Sequence, residues 1–142
     1  MVMEVGGGDP TLPRPRAAGL ILLDTNALLW LHRGHRRSRP LLRAAGRLYV
    51  SPASLLEVQF LVESGRVRLR PRATVSDLAD DDRLLLDDPP AAAWFARALE
   101  IGWTRDPFDR LLVAHATLRG WRLATGDGEL VERLGPARSL AL

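Results

Sequence analysis

The segment Gly19-Leu20-Ile21-Leu22-Leu23-Asp24-Thr25-Asn26-Ala27-Leu28-Leu29 decides the fold of this chain. It opens with a short, unbroken apolar run, which is typical of a strand buried in a parallel sheet. Residues 25–31 then favour a helix that starts directly after the strand, with either Asp24 or Thr25 as its cap. A strand that passes at once into a helix favours an α/β fold.

The rest of the chain continues this alternation of strands and helices. The predicted elements after the first helix are a helix over 40–45, a strand over 47–52, a helix over 53–64, a helical turn over 75–82, helices over 91–101 and 106–119, a strand over 121–125 and an edge strand over 137–142. We therefore predict one α/β domain over residues 20–142, with a mainly parallel central sheet flanked by helices. Gly and Pro are frequent in residues 1–19, which are predicted to form a disordered leader.

Composition narrows the possible functions. The chain has no cysteine, which excludes disulfides, thiolate metal sites and cysteine nucleophiles. No run approaches the roughly 20 apolar residues that a membrane helix needs. The leader lacks the apolar core of a signal peptide, so we expect a cytoplasmic protein.

Basic residues other than histidine are all arginine, and six of them fall within residues 33–47 with no acid among them. An acidic stretch over residues 77–88 opposes this block. Arginine-rich segments suit an anionic polymer such as RNA, because guanidinium groups bind phosphate as a fork. A solvated surface, or a coding bias towards arginine, would give the same pattern, so both interpretations stay open.

Acidic residues stand at the edges of four different apolar segments, and they are Asp24, Glu57, Asp109 and Asp127. Ligands of parallel sheets bind outside the carboxyl ends of the strands. Asp24 ends the first strand, and Asp127 lies just beyond a later one. Glu57 and Asp109 lie in early turns of helices on the same rim. We expect the four carboxylates to converge there, where a cation would offset their repulsion.

Each acid also has an ordinary structural role that its local sequence allows. Asp24 could cap the first helix, and Asp106, which precedes a proline, could cap a later one. Asp109 could complete that cap or favour the helix dipole. Glu57 could face solvent, and Asp127, between two glycines, suits a turn. The local sequence leaves both kinds of role open.

Carboxylate ligands without cysteine or histidine suit Mg²⁺ or Mn²⁺ rather than zinc. Such an ion lowers the pKa of a bound water and stabilises a leaving group in phosphodiester hydrolysis. His32, His35 and His115 have no ligand spacing with one another. His115 lies within a helical pattern and is expected to be structural or on the surface.

Four segments, taken in order, resemble a PIN-domain ribonuclease, and most of all a VapC-type toxin of a toxin–antitoxin pair. They are residues 22–30 (LLDTNALLW), 50–57 (VSPASLLE), 105–114 (RDPFDRLLVA) and 123–127 (LATGD). The sequence departs from the family pattern at Thr104, where related toxins often have histidine, and at residues 126–128, where Gly-Asp-Gly replaces Ala-Asp-Pro. Neither departure removes an acid.

The resemblance implies a Mg²⁺- or Mn²⁺-dependent endoribonuclease. It implies catalytic, metal-binding roles for Asp24, Glu57, Asp109 and Asp127. It further implies that their neighbours hydrogen-bond the carboxylates or position water, and these neighbours are Thr25, Asn26, Asp106 and Thr125. Asp106 would cap its helix or lie behind the metal ligands, and the choice between Asp106 and Asp109 as third ligand stays open.

An RNA substrate and two protein partners follow from the same resemblance. The candidates for phosphate contacts are Arg33, Arg36, Arg37, Arg39, Arg43 and Arg110. A cognate antitoxin would wrap the helices, and a second copy of the chain would form a homodimer. Trp94, Phe95 and Trp103 are possible dimer contacts, although core packing is the expected role of each.

Two other functions fit parts of the sequence. A PIN fold kept as an RNA- or protein-binding module without catalysis would not need all four acids. A phosphatase that used Asp24 as its nucleophile would need a second aspartate two residues on, where Asn26 stands, and a downstream lysine, which the chain lacks.

Overall fold

The computed structural model describes residues 19–44 and 46–142, and the predicted leader lies outside these residues except for Gly19. The strands of this part are β1 (Leu20–Leu23), β2 (Arg47–Val50), β3 (Leu84–Leu86), β4 (Arg122–Thr125) and β5 (Ser139–Ala141). The α-helices are α1 (Thr25–Arg33), α2 (Arg39–Arg43), α3 (Pro52–Glu63), α4 (Ala91–Leu99), α5 (Pro107–Arg119) and α6 (Gly128–Leu134). Short 3-10 helices cover Arg36–Ser38 and Val75–Ala79.

The five strands form one sheet in the order β3-β2-β1-β4-β5, and every neighbouring pair is parallel. β1 is central, with Leu22 opposite Tyr49 of β2 and Leu123 of β4. The predicted α/β domain with a mainly parallel sheet is therefore confirmed. Because all strands run the same way, their carboxyl ends share one edge of the sheet.

The core lies on both faces of this sheet. Side chains alternate along β1, so Ile21 and Leu23 enter one apolar cluster and Leu22 enters the other. The first cluster also contains Leu28 of α1, and the second contains Leu112 of α5. Burial on both faces explains why the sequence of β1 is an unbroken apolar run.

Polar caps start the helices that border the carboxyl edge. Asp24, Ser51, Asp106 and Asp127 each accept a backbone amide from the first turn of α1, α3, α5 and α6, respectively. β1 and β2 pass into helices within one residue. The N-termini of α1 and α3 therefore lie at the edge where their strands end.

Three details differ from the sequence-based expectations. β3 was not predicted, because only Leu84 of its three leucines is buried and the run is flanked by acids. Pro52 begins α3 rather than ending a strand, since proline suits the first turn of a helix. Residues 75–79 form a 3-10 helix with Val75 and Leu78 buried.

Across residues 19–44 and 46–142, no helix has the length and apolar character to span a membrane.

Candidate active site

The carboxyl edge of the sheet carries the predicted acids. Asp24 directly follows β1, and Asp127 lies two residues beyond β4, the strand paired with β1. Glu57 lies in the second turn of α3, and Asp109 lies in the first turn of α5. The strand order thus brings together acids that lie far apart along the chain.

Asp24 is held most firmly of the four. The residue is buried, with a relative exposure of 7%, and Oδ1 accepts the amide of Ala27 at 2.7 Å. The hydroxyl of Thr125 lies close enough to this carboxylate to lower its pKa. Burial raises the pKa of Asp24, the nearby Asp127 charge adds to the rise, and the bonds from Thr125 and Ala27 offset part of it.

Thr125 links two of the acids. Its hydroxyl lies close enough to Asp24 to lower the pKa of that carboxyl, and its Oγ1 accepts the amide of Asp127 at 3.0 Å. The Asp127 side chain caps α6, with Oδ1 accepting the amides of Glu129 at 2.9 Å and Leu130 at 3.3 Å. The buried Thr125 hydroxyl therefore holds the backbone of Asp127 and lies beside the Asp24 carboxylate.

Glu57 is hydrogen-bonded by the first residue of α1. The hydroxyl of Thr25 donates to Oε1 of Glu57, which joins α1 and α3 across the site. Burial raises the pKa of Glu57, the Asp106 and Asp24 carboxylates contribute further, and the Thr25 bond opposes them. Thr25 and Thr125 therefore occupy the positions next to the acids that were predicted for them.

Asp106 and Asp109 differ in their surroundings. Oδ1 of Asp106 accepts the amides of Phe108 at 2.8 Å and Asp109 at 3.1 Å, so this exposed residue is the cap of α5. Asp109 is half-buried, and no donor among the described residues bonds its carboxylate. The negative charge of Asp109 is therefore not offset by any hydrogen-bond donor of the described residues.

Burial raises the pKa of Asp109 from 3.8 to about 7, and nearby negative charges add to this rise. These charges belong, in order of decreasing effect, to Asp106, Glu57, Asp127 and Asp24. Asp109 is therefore the residue on which the other four acids act together. The electrostatics place all five carboxylates in one neighbourhood.

The donor set suits a hard divalent cation, because it consists of carboxylates and hydroxyls. Within residues 19–44 and 46–142, no three Asp, Glu or His side chains are arranged to hold one ion together. Mg²⁺ does not require three, since it usually binds one or two carboxylates and keeps several waters. The hydroxyls of the set belong to Thr25 and Thr125, which lie next to the carboxylates and can bond the waters of such an ion. The residues present therefore fit a hydrated ion.

The remaining predicted positions surround this site less closely. Asn26 is exposed, and only its backbone amide bonds Asp24. Nε of Arg110 donates to the carbonyl of Thr104 at 2.8 Å, which holds the start of α5. The other arginines predicted to contact RNA are exposed, and they are Arg33, Arg36, Arg37, Arg39 and Arg43. Within the described part of the chain, Arg37 alone of these bonds the loop that carries Asp127.

A second polar cluster on the same side of the sheet was missed by the sequence analysis. His115 of α5 is fully buried, with Nδ1 2.9 Å from Oγ of Ser51 and Nε2 2.7 Å from Oδ2 of Asp87. Arg119 donates to the same carboxylate at 2.8 Å. The complete burial of Ser51 and His115 excludes substrate, so this cluster joins the ends of β2 and β3 to α5. The expectation of a structural role for His115 agrees with its burial.

Electrostatics within this second cluster explain how charges are tolerated there. Burial lowers the pKa of His115, and the Asp87 carboxylate opposes that effect without overcoming it. Burial works to raise the pKa of Asp87, but bonds from Arg119 and His115 outweigh it and leave that pKa below its usual range. The cluster is therefore a neutral imidazole beside a charged Asp–Arg pair.

Comparison with known proteins identifies the class to which this fold and site belong. A family profile described as PIN domain matches residues 21–134. The chain is also similar to ribonuclease VapC22 of Mycobacterium tuberculosis (strain ATCC 25618 / H37Rv), with 32% identity over 116 residues that cover 78% of this chain and 88% of the relative. The chain therefore belongs to the PIN-domain family, in its VapC-type ribonuclease branch.

Solved structures agree on the fold. A toxin–antitoxin complex from Klebsiella pneumoniae superposes with a TM-score of 0.61 at 18% identity, over 85% of this chain and 96% of that one. VapBC2 from Rickettsia felis, bound to a DNA fragment from its promoter, superposes with a TM-score of 0.62 at 19% identity, over 87% and 98%. The likeness thus spans nearly the whole length of both neighbours' chains.

Proposed function

We propose that this protein is a metal-dependent endoribonuclease and the toxin of a toxin–antitoxin pair. The observation that supports this most strongly is Asp109, a half-buried carboxylate with a pKa of about 7, four acidic neighbours and no hydrogen-bond donor among the described residues. A purely structural residue gains nothing from such an environment, because charge repulsion destabilises the fold. In a site that binds a divalent cation, the charge of the ion offsets this repulsion.

In this proposal Asp24, Glu57, Asp109 and Asp127 hold Mg²⁺ or Mn²⁺. The ion would supply a polarised phosphoryl oxygen and a water of lowered pKa. Thr25 orients Glu57, and Thr125 orients Asp24, so that these carboxylates keep their positions while RNA binds.

RNA would approach from the exposed arginines of residues 33–43. Each phosphate contact of this kind strengthens binding independently of sequence and weakens as salt rises. An unpaired loop in a folded RNA is the expected target, since its bases are accessible to side chains.

Two protein partners complete the proposal, and both act in the cytoplasm. The structural neighbours include toxin–antitoxin complexes, which supports a cognate antitoxin for this chain. A homodimer is supported by two exposed apolar side chains of α3, Leu56 and Phe60. The ring of Phe60 lies edge-on to that of Phe108 of α5, with 5.6 Å between the ring centroids. Trp94 is unsuited to a dimer contact, because it is buried and its indole donates to the carbonyl of Leu111.

The test is cleavage of a structured RNA pool by purified, antitoxin-free protein in Mg²⁺ or Mn²⁺. We expect cleavage that EDTA abolishes and that Asp24→Asn or Glu57→Gln reduces by about a hundredfold or more, as loss of a metal ligand should. Glu63→Gln is the matched control, because Glu63 is an exposed acid of the same helix whose carboxylate bonds Gln59, away from the site. It should cleave like the natural protein.

A non-catalytic RNA-binding module is the second candidate, because the exposed arginines of residues 33–43 could bind phosphates without any metal ligand. It predicts no cleavage with either metal, together with RNA binding that EDTA does not change. That pair of results would replace the nuclease proposal.

A further inference from the structure

Arg37 makes an unusual set of contacts for an arginine in an exposed basic segment. Its guanidinium lies over the ring of Trp30, 4.2 Å from the centroid. Its Nη2 donates to the carbonyl of Leu142 at 3.0 Å and to that of Gly126 at 3.5 Å. Arg37 therefore joins the end of α1 to the loop between β4 and α6 and to the segment after β5.

The loop is built to accept this contact. A Cβ atom on Gly126 would lie 2.5 Å from Cη2 of Trp30 and 2.7 Å from Nη2 of Arg37, so a larger residue there would have to displace these two side chains. Glycine at position 126 thus permits the close packing of Trp30 and Arg37 on the loop.

The turn before Arg37 fixes the position of Arg37 relative to Trp30. The amide of His35 donates to the carbonyl of Trp30 at 2.8 Å, and the two rings stack at 5.8 Å. The amide of Arg37 in turn donates to Nδ1 of His35 at 3.1 Å. The guanidinium is therefore presented by an ordered turn rather than by a free surface chain.

We propose that Arg37 is a positioning residue for Asp127. Gly126 lies between Thr125, whose Oγ1 accepts the amide of Asp127, and Asp127, whose carboxylate is near Asp24 and Asp109. Repulsion among these acids pushes the exposed Asp127 away from the site. The clamp of Trp30, Arg37 and Gly126 resists this movement, because it ties the loop to α1, the helix that Asp24 caps.

This role differs from the phosphate contact that the sequence predicts for Arg37. A phosphate contact affects RNA affinity, so its loss would raise KM and reduce the salt dependence of binding. A positioning role affects the reacting geometry, so its loss would lower kcat at nearly constant KM. The catalytic part of the inference rests on the proposed nuclease function, whereas the clamp itself does not.

Two substitutions break the clamp from opposite sides. Arg37→Gln removes the guanidinium, and Gly126→Ala displaces Trp30 and Arg37 while leaving every charge in place. Arg66→Gln is the matched control, because Arg66 is exposed, lies outside the arginines predicted to contact RNA and makes no side-chain hydrogen bond or ion pair in the described part of the chain. We expect both clamp variants, and not the control, to lower kcat by about tenfold with KM changed less than about twofold.

Two readouts do not depend on cleavage. Backbone amides of residues 127–130 should exchange with deuterium faster in both clamp variants, and Mn²⁺ binding measured by calorimetry should weaken by about tenfold. If Gly126→Ala fails to fold, Arg37→Gln alone decides. Unchanged amide exchange, or a raised KM with unchanged kcat, would overturn the inference. If the natural protein does not cleave RNA but Arg37→Gln still speeds exchange, the clamp stands and the nuclease proposal fails.

Discussion

Replacing Asp109 by asparagine should stabilise the metal-free protein at alkaline pH. The pKa of Asp109 is about 7 in the folded chain, against an ordinary value of 3.8. Between these values the folded state keeps a proton that the unfolded chain has lost, so stability falls as the pH rises. Asp109→Asn carries no charge in either state and removes that fall.

The size of the effect follows from the difference between the folded and unfolded pKa of Asp109. A tenfold change in the acid dissociation constant corresponds to about 1.36 kcal/mol, which sets a ceiling of about 4 kcal/mol above pH 7. Asp109 is only half-buried and two of its acidic neighbours, Asp106 and Asp127, are exposed, so water screens much of the repulsion. We expect Asp109→Asn to raise the free energy of unfolding by about 1–2 kcal/mol at pH 8. The gain should vanish as the pH is lowered towards 4.

Urea unfolding in EDTA at pH 8, 6 and 4.5 measures this difference, with Asp82→Asn as a control for removing an exposed acid elsewhere. Excess Mg²⁺ should then reverse the order, because a ligand at 100 times its Kd stabilises the natural protein by about 2.7 kcal/mol and the variant less. A variant less stable than the natural protein at pH 8 in EDTA would refute the reasoning. So would a difference that does not change with pH.

Three further perturbations test other contacts. Thr25→Val should lower kcat about tenfold in the RNA cleavage assay while Thr25→Ser keeps it, because only a hydroxyl can donate to Glu57; equal loss in both would contradict this. Asp87→Asn should lower the free energy of unfolding in urea by about 2–3 kcal/mol, since it weakens the bonds from His115 and Arg119, and a loss below about 0.5 kcal/mol would show that the cluster is dispensable. Phe60→Ser should convert a homodimer to monomers in size-exclusion chromatography with light scattering, and an unchanged mass would exclude α3 from the interface.

The position of Asp24 and Asp127 at the carboxyl edge could be predicted because the ends of buried strands can be located from sequence. An apolar run that stops at Asp24 marks the carboxyl end of a strand, and a parallel sheet brings such ends to one edge. The same rule reached Asp127 from the run that ends at Thr125. It could not separate Asp106 from Asp109, since both lie at the start of α5. The structure distinguishes their environments by the amides bonded to Asp106 and the absence of a described donor to Asp109.

Contacts between residues that lie far apart along the chain could not be predicted from the sequence. Arg37 is 89 positions from Gly126 and 105 from Leu142, and neither end carries a pattern that names the other. The Gly-Asp-Gly sequence at residues 126–128 is typical of a turn, so nothing in it indicated that Gly126 packs closely against Trp30. His115 was hidden for a related reason, because its partners Ser51 and Asp87 follow two different strands.

Helix capping and metal binding emerge as compatible roles rather than alternatives. Asp24, Asp106 and Asp127 each use Oδ1 to accept amides at the start of a helix. The partial positive charge at a helix N-terminus offsets some of the repulsion that gathering these acids creates. A cap also fixes the carboxylate without committing its second oxygen to the same amides. Asp109 and Glu57 have no such cap, and burial is the largest cause of the raised pKa of each. The fold thus anchors three acids by backbone geometry and leaves Asp109 as the one whose charge most needs a cation.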